Sequence, residues 1–293
     1  MKFCRYNDNK LGVVEGDQVH DVSYALDLIP AARWPFPRGD QFVAHLDDLV
    51  KAVKAKGLGG ETVRVADVTL RNPVPNAPKI VAAPVNYQLH MNESIADTGI
   101  SMGKVPLTIG DAGLFLKNPT SLIGPDETVG VRFPDRRTDH EVELGVVIGK
   151  TCSDVSRDDA LNYVAGYAIA LDMTVRGKED RSFRKSIDGY SVLGPWLVTA
   201  DAIPNPDALD IEIKVNGQTK QKSNTKNLIY DVRKLVEWAS QWYTLYPGDV
   251  IMTGTPEGVS PVQPGDVLEC SIERIGSMTV RVGAHRGAVA SRA

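Results

Sequence analysis

The chain has 293 residues, of which 42% are hydrophobic and 24% charged, with a formal net charge of −4 and a pI of about 5.8. This length suffices for one large domain, or for a small domain followed by a large one. The acidic balance argues against nucleic acid or an anionic membrane as a partner, and no apolar run approaches the roughly 18 residues that span a bilayer. The N-terminus lacks the apolar core of a secretion signal. Three widely spaced cysteines form no zinc or disulfide pattern and indicate the reducing cytoplasm.

Residues 1–75 are predicted to form a small N-terminal α/β module. Three short strands near 2–6, 10–17 and 18–22 are separated by Asn-Asp-Asn and Gly-Asp turns. Helices are predicted near 23–32 and 41–56, the second ending at the run Gly57-Leu58-Gly59-Gly60. A proline-dense segment at 72–78 is a plausible linker. We therefore expect a second, larger domain over residues 76–293.

The second domain is predicted to be rich in β-structure. Strands are expected at 79–84, 114–117, 128–133, 140–149, 165–173, 194–199, 209–215, 249–253, 266–273 and 277–282. Helices are fewer: one is expected after the capping pattern at 156–159, and one amphipathic helix over about 226–244. Strands and helices do not alternate regularly and no GxGxxG motif is present, which argues against a Rossmann fold.

Two carboxylates lie inside one predicted strand. Glu141 and Glu143 occupy positions i and i+2 of an apolar run that ends at Gly149, so their side chains point to the same face. Like charges beside an apolar core repel and resist desolvation, and a compensating cation is expected. A divalent metal that prefers oxygen ligands is one such cation.

A third carboxylate, Asp172, ends the uncharged run Ala165–Met173. On a strand adjacent to Glu141 and Glu143, it would complete half of an octahedral shell for Mg²⁺ or Mn²⁺. The alternative is that the acids pair with arginine or lysine at a sheet end. The spacing alone leaves both interpretations open.

His90 and Glu93 are the next candidate pair. Asn86 can cap a short helix that starts at Tyr87, and His90 and Glu93 then share a face at i and i+3. A carboxylate that orients an imidazole allows it to take a proton from water. By itself this spacing is more typical of an ordinary pair on a helix surface.

Lys185 and the turn Thr253–Val259 complete the candidates. A lysine beside a metal-bound carboxylate can stabilise developing negative charge, although Lys185 lies in a basic stretch where solvated lysines are ordinary. The turn follows an apolar strand and can offer backbone N–H groups and the Thr255 hydroxyl to an anion. A plain β-turn is the alternative.

In combination, these motifs resemble the fumarylacetoacetate hydrolase family over about residues 80–283. The resemblance rests on the following segments in order: Asn86-Tyr87 with His90 and Glu93, Phe115–Ser121, His140–Lys150, Gly166-Tyr167 with Leu171–Thr174, Lys185-Ser186, Leu193–Trp196 and Pro247–Val259. It implies an α+β, β-rich catalytic domain, a mixed-sheet roll or sandwich, behind the small N-terminal module. It also implies a homodimer and, in several members, a role in aromatic catabolism.

The resemblance assigns roles to the candidate residues. Glu141, Glu143 and Asp172 match the ligands of a divalent metal, Mg²⁺ or Mn²⁺. His90 and Glu93 match a water-activating dyad on a helix that closes over substrate, and Lys185 matches the active-site lysine. Arg176 and Thr255 match substrate-binding residues. Gly177, Glu179 and Ser260 depart from many members, and the link from Asp172 to Lys185 is shorter; these differences surround the substrate tail and not the metal.

The leading hypothesis is hydrolysis of a C–C bond in a 2,4-dioxo acid, such as an acylpyruvate or a fumarylpyruvate-like compound. The metal would chelate the 2-oxo acid as a Lewis acid, His90 would deprotonate water, and Lys185 would help to hold the enolate. A second hypothesis is isomerisation or decarboxylation of a related 2-oxo diacid, such as a carboxymethyl-hydroxymuconate product or oxaloacetate. A third is a binding protein that retains the metal site without turnover.

Overall fold

The computed structural model describes residues 1–58 and 60–285. The strands there are β1 (Lys2–Tyr6), β2 (Lys10–Glu15), β3 (Gln18–Asp21), β4 (Thr62–Arg64), β5 (Leu70–Arg71), β6 (Ile80–Ala82), β7 (Phe115–Lys117), β8 (Leu122–Ile123), β9 (Val129–Val131), β10 (Thr138–Asp139), β11 (Val142–Ile148), β12 (Val164–Asp172), β13 (Thr174–Val175), β14 (Ser191–Thr199), β15 (Asp210–Val215), β16 (Gln218–Asn224), β17 (Val250–Met252), β18 (Val267–Ile272) and β19 (Gly276–Ala284). The helices are α1 (Gln41–Ala44), α2 (Leu46–Lys56), α3 (Gln88–Ala96), α4 (Thr98–Ser101), α5 (Ile109–Ala112), α6 (Arg181–Lys185) and α7 (Val232–Trp242). In these residues no helix combines the length and the apolar character needed to cross a membrane.

A mixed sheet of 12 strands forms the centre of the molecule. Its main path runs β4-β3-β2-β1-β14-β12-β11-β17-β6-β7, with β5 beside β1 and β8 beside β14. Most neighbours are antiparallel, whereas β17 runs parallel to β6 and β14 parallel to β8. A second sheet has the order β16-β15-β18-β19-β9. The prediction of a β-rich α+β fold with mixed sheets is confirmed.

The two faces of the large sheet bury two separate apolar cores. Alternate residues of β11, including Leu144 and Val146, face the core shared with the second sheet, whereas Val147 faces the core shared with α1 and α2. In β12, Ile169 and Ala170 divide between the two cores in the same way. This alternation is the period-two pattern of a strand buried on both faces.

The N-terminal strands extend the large sheet. β1 pairs antiparallel with β14, with Lys2 opposite Val198 and Phe3 opposite Leu197. Phe3 is buried in the same apolar core as Leu197. The separation into domains 1–75 and 76–293 stays a prediction, and residues 286–293 of the second domain lie outside the described residues.

Several predicted elements differ in detail. The stretch 23–32 forms only a short 3₁₀ turn over Ser23–Leu28, and the helix predicted over 41–56 is divided at His45 into α1 and α2. Of the glycines predicted to end it, Gly57 has φ +78° and caps α2, while Gly59 is outside the described residues. The capping pattern at 156–159 leads into a 3₁₀ turn rather than an α-helix. The sequence did not predict β16, which is almost entirely polar, or α6, which has only five residues.

Candidate active site

The three candidate carboxylates meet at one end of the large sheet. β11 and β12 pair with Glu143 opposite Ala170, and the Asp172 amide donates to the carbonyl of Glu141 at 2.9 Å. One carboxylate oxygen from each of Glu141, Glu143 and Asp172 lies within 4.8 Å of the others, and all three side chains are buried. The structure therefore brings Glu141 and Glu143, which strand periodicity placed on one face, together with Asp172 from the neighbouring strand β12.

Two buried lysines lie against this cluster. Lys185 donates from Nζ to Glu141 Oε2 and to Asp172 Oδ2, each at 2.6 Å. Lys117 donates to the other oxygen of Asp172 at 2.5 Å and to the carbonyl of Tyr190 at 2.8 Å. Burial lowers the pKa of Lys117, although Asp172 opposes that shift.

The carboxylates experience opposite electrostatic environments. Burial alone would raise the pKa of Glu141, but Lys185 and Arg176 outweigh it and hold that pKa well below its ordinary value. Burial and the neighbouring Asp172 carboxylate raise the pKa of Glu143 well above its ordinary value. The ionised form of Glu143 is therefore disfavoured here unless a further cation stabilises it.

Glu143 provides the clearest test of whether a cation fits. Its Oε2 accepts from the Gly254 amide at 2.7 Å, whereas its Oε1 accepts no hydrogen bond from any residue in the described ranges and Glu143 lines a cavity. With Arg176 balanced by Asp139, three buried carboxylates and two buried lysines leave one net negative charge at this point. An all-oxygen donor set with a free oxygen and negative charge suits a hard divalent cation.

Arg176 is held beside the cluster by two carboxylates. Its Nε donates to Asp139 at 2.7 Å and its Nη2 to Glu141 at 2.9 Å. Asp139 in turn accepts from Arg137, whose Nη1 donates to Asp97 at 2.9 Å. Arg176 also lines the cavity. A chain of ion pairs therefore connects Asp97, at the end of α3, to Glu141.

His90 and Glu93 form a pair on α3, as their spacing predicts. His90 Nδ1 and Glu93 Oε2 are 2.8 Å apart, and Glu93 Oε1 accepts from the Gly258 amide at 2.9 Å. The His90 side chain is largely buried, and it lines the cavity. With Nδ1 facing Glu93, Nε2 is the ring atom left to act as a base.

The predicted cap of this helix is wrong. Tyr87, and not Asn86, occupies the N-cap position of α3, and its side chain makes no capping bond. The Asn86 side chain instead donates to the carbonyls of Tyr230 and Thr253 and accepts from the Tyr230 amide. Asn86 therefore fixes the start of α3 to the turn after β17 through long-range bonds that local spacing cannot predict.

Thr255 lies in the turn after β17 and faces the same cavity. Its hydroxyl donates to the carbonyl of Val142 at 2.9 Å and accepts from Gln221 at 2.8 Å. Gln221, on β16, also accepts from the Val142 amide and contacts His140. The turn is thus tied to the start of β11, where the carboxylates lie.

All eight predicted site residues except Asp172 and Glu93 line one cavity of about 290 Å³. Asp172 and Glu93 contact it through Lys185 and His90, respectively. Apolar side chains, among them Ile100, Val105 and Phe115, form part of its wall. The cavity therefore joins the carboxylate cluster to the histidine on α3.

Sequence reasoning missed three residues that shape the site. Lys117 ends the short strand β7, Asp139 precedes the carboxylate strand, and Gln221 lies in the unpredicted β16; all three are buried. A lysine in a run that otherwise reads as a strand, Phe115–Lys117, was the one available signal. Its partner Asp172 is 55 positions away, a pairing that only the fold reveals.

Comparison with known proteins agrees with this geometry. Residues 79–283 match the family described as fumarylacetoacetate (FAA) hydrolase C-terminal. The chain is 52% identical over 284 residues to a maleylpyruvate hydrolase of Aquipseudomonas alcaligenes, covering 96% of this chain and 99% of that one.

Solved structures are similar over nearly the full length. The maleylpyruvate hydrolase from Sphingobium sp. SYK-6, in complex with manganese(II) ion and pyruvate, superposes with a TM-score of 0.83 at 39% identity, covering 98% of this chain and 100% of that one. A 5-carboxymethyl-2-hydroxymuconate delta-isomerase from Mycobacterium smegmatis has a TM-score of 0.70 at 31% identity, covering 97% and 100%. The chain belongs to the fumarylacetoacetate hydrolase family of enzymes.

Proposed function

We propose that the protein is a metal-dependent hydrolase that cleaves a C–C bond in a 2,4-dioxo acid of the maleylpyruvate type. The observation that carries this proposal is that Glu141 and Glu143, two members of the three-carboxylate cluster, line the same cavity as His90. The similarity to maleylpyruvate hydrolases, one of them with manganese and pyruvate, supports the substrate class.

Glu141, Glu143 and Asp172 are the proposed ligands of Mg²⁺ or Mn²⁺. When bound, the ion would supply Lewis acidity toward the 2-oxo group and its carboxylate. The donor set fits, because all its atoms are carboxylate oxygens and Glu143 Oε1 has no protein donor within the described ranges. Lys185 donates to both Glu141 and Asp172 and so fixes their orientation.

His90 is the proposed general base. Glu93 accepts from Nδ1 and is itself anchored by the Gly258 amide, so the imidazole is held in one tautomer and orientation. His90 Nε2 then takes a proton from water, and the resulting hydroxide adds to the 4-oxo carbon of the substrate. The bond between C3 and C4 breaks, C4 leaves as a carboxylic acid, and the C3 carbanion leaves as the enolate of pyruvate and is protonated.

Lys185, Arg176 and Thr255 are the proposed substrate-side residues. Lys185 Nζ, buried beside the carboxylates, stabilises negative charge that develops on the 2-oxo oxygen. Arg176 already donates to Asp139 and Glu141, so only its remaining N–H groups are available to a substrate. Thr255 lines the same cavity, and its hydroxyl already donates to the Val142 carbonyl.

Replacing the base tests the proposal. His90→Ala should lower kcat for maleylpyruvate by at least about 100-fold, since positioned general bases contribute about 10²–10⁴ in rate. The affinity for Mn²⁺, measured by electron paramagnetic resonance, should change little. His20→Ala, which removes a histidine from β3 in the N-terminal module, is the matched control. Unchanged turnover in His90→Ala would show that the dyad is wrongly assigned.

Isomerisation or decarboxylation of a related 2-oxo diacid is the second candidate, favoured by the similarity to the M. smegmatis isomerase. Such reactions need the same carboxylate cluster but no nucleophilic water. An isomerase product keeps the mass of its substrate, whereas hydrolysis gives two shorter acids.

A binding protein without turnover is the third candidate. Such a protein has no use for the His90–Glu93 pair. Inactivity on a panel of 2-oxo acids with Mg²⁺ and Mn²⁺ would favour the binding protein.

Three further proposals concern the oligomeric state, the location and the domain boundary. The family favours a homodimer, which sedimentation equilibrium tests. A cytoplasmic location agrees with three buried free thiols, Cys4, Cys152 and Cys270. The domain boundary near residue 75 agrees with the start of the family match at residue 79.

A further inference from the structure

The end of the cavity beside Glu141, Glu143 and Asp172 is called the metal end here. Its cations are already paired with acidic side chains and are not available to a second substrate carboxylate. Lys185 is shared by Glu141 and Asp172, Lys117 is directed at Asp172, and Arg176 is divided between Asp139 and Glu141. A bound divalent cation would leave about one net positive charge there, which the carboxylate of a 2-oxo acid would neutralise. A substrate with a second carboxylate therefore needs separate cations farther along the cavity.

Helix α6 contributes two further cations to the cavity. Arg181, Arg184 and Lys185 occupy positions i, i+3 and i+4, so they lie on one face of the helix. Lys185 reaches Glu141 and Asp172, and all three side chains line the cavity. Phe183, between them in sequence, is 76% exposed on the other side. The helix thus directs two guanidinium groups toward the same space as the active-site lysine.

Neither guanidinium is neutralised by an acidic side chain of the described residues. Arg184 donates from Nη1 to the Val175 carbonyl at 3.2 Å, and its buried Nε has no hydrogen-bond partner. The nearby acid Glu179 pairs with Arg136, and Asp180 accepts from the Ser182 amide as the cap of α6. Burial lowers the pKa of both Arg181 and Arg184, and neighbouring carboxylates do not offset it.

We propose that Arg181 and Arg184 bind the distal carboxylate of the substrate and thereby select dicarboxylic 2,4-dioxo acids over acylpyruvates with an uncharged end. The inference rests on the proposed function and specifies its substrate class. The cavity wall also includes the apolar side chains of Val105 and Phe115, which suit the uncharged carbon chain between two carboxylates. A guanidinium with a buried, unpaired Nε suits a carboxylate because it gains a charge-assisted hydrogen bond.

Matched substrates provide the test. Maleylpyruvate carries a distal carboxylate, whereas 2,4-dioxopentanoate ends in a methyl group and has the same reacting atoms. Arg181→Gln and Arg184→Gln should each lower kcat/KM for maleylpyruvate about tenfold to hundredfold, and that for 2,4-dioxopentanoate less than threefold. Arg181→Lys, which keeps the charge, should recover part of the loss. The inhibition constant of oxalate, a probe of the metal end alone, should stay within about twofold of wild type.

Lys178 is exposed on the loop before α6 and also lines the cavity, so Lys178→Gln tests the competing assignment that this lysine binds the distal carboxylate. It should affect both substrates equally and weakly. Thermal unfolding shows which variants fold. If Arg184→Gln does not fold, Arg181→Gln still tests the assignment. Equal losses for both substrates, or a selective loss in Lys178→Gln alone, would overturn the assignment. If the wild-type enzyme cleaves neither substrate, the proposed function itself fails, which is a different result from cleavage without selectivity.

Discussion

At the scale of single residues, the site is a balance of buried charges. Periodicity predicted that Glu141 and Glu143 share a face and need a cation, because alternation depends only on neighbours in sequence. It could not predict that Asp172 pairs with two lysines. One of them, Lys117, lies on β7, 55 positions away in sequence, and only the tertiary fold brings it to Asp172. Local spacing thus indicates acidic ligands, while the cations that hold them depend on tertiary structure.

Removing Lys117 should destabilise the protein. Lys117→Met takes away one partner of a fully buried ion pair and leaves the Asp172 carboxylate with Lys185 alone. We expect the free energy of unfolding to fall by about 3 kcal/mol, as for other broken buried pairs, measured by urea denaturation without added metal. Lys226→Met, at an exposed position, should change it by less than about 0.5 kcal/mol. A loss below about 1 kcal/mol for Lys117→Met would contradict the assigned importance of this pair.

At the scale of elements, α3 connects the base to the metal end. The sequence predicted a short helix with His90 and Glu93 on one face, because that pattern is local. It did not predict the two attachments of the helix, Gly258 to Glu93 and Arg137 to Asp97, which span distant parts of the chain. These attachments decide where the imidazole lies relative to the carboxylates.

Weakening one attachment should loosen α3. Asp97→Asn keeps a side-chain oxygen that can accept from the Gly99 amide but removes the charge that pairs with Arg137. Because Asp97 is partly exposed, the effect should be modest, about a two- to threefold faster hydrogen exchange of the α3 amides. Asp67→Asn, which breaks an exposed pair with Arg64 far from α3, should leave those amides unchanged. Equal exchange in Asp97→Asn and wild type would show that the pair does not hold the helix.

At the scale of the whole molecule, the N-terminal strands and the catalytic strands share one sheet. Strand patterns predicted most of the central strands, since buried β-segments are locally apolar. They could not predict that β1 joins β14, because pairing partners distant in sequence leave no local pattern. The order of strands, and with it the position of the carboxylates at the sheet end, comes from tertiary packing.

A core substitution in β1 tests this continuity. Phe3 is fully buried and packs against Phe42 with ring centroids 5.8 Å apart. Phe3→Ala should lower the free energy of unfolding by about 3–5 kcal/mol, with a single transition seen by both circular dichroism and tryptophan fluorescence. Phe36→Ala, at a 70% exposed side chain, should have little effect. Two separate transitions would indicate that residues 1–75 unfold independently of the rest.

The central claim is that His90 activates water to cleave a C–C bond, and oxygen-18 labelling tests it most directly. Maleylpyruvate turned over with Mn²⁺ in H₂¹⁸O should give maleate that carries one ¹⁸O atom in its new carboxylate, measured by mass spectrometry after rapid quenching. The same reaction with His90→Ala should give almost no labelled maleate. Recovery of an isomer with the mass of the substrate, or of maleate without ¹⁸O, would contradict hydrolysis by activated water.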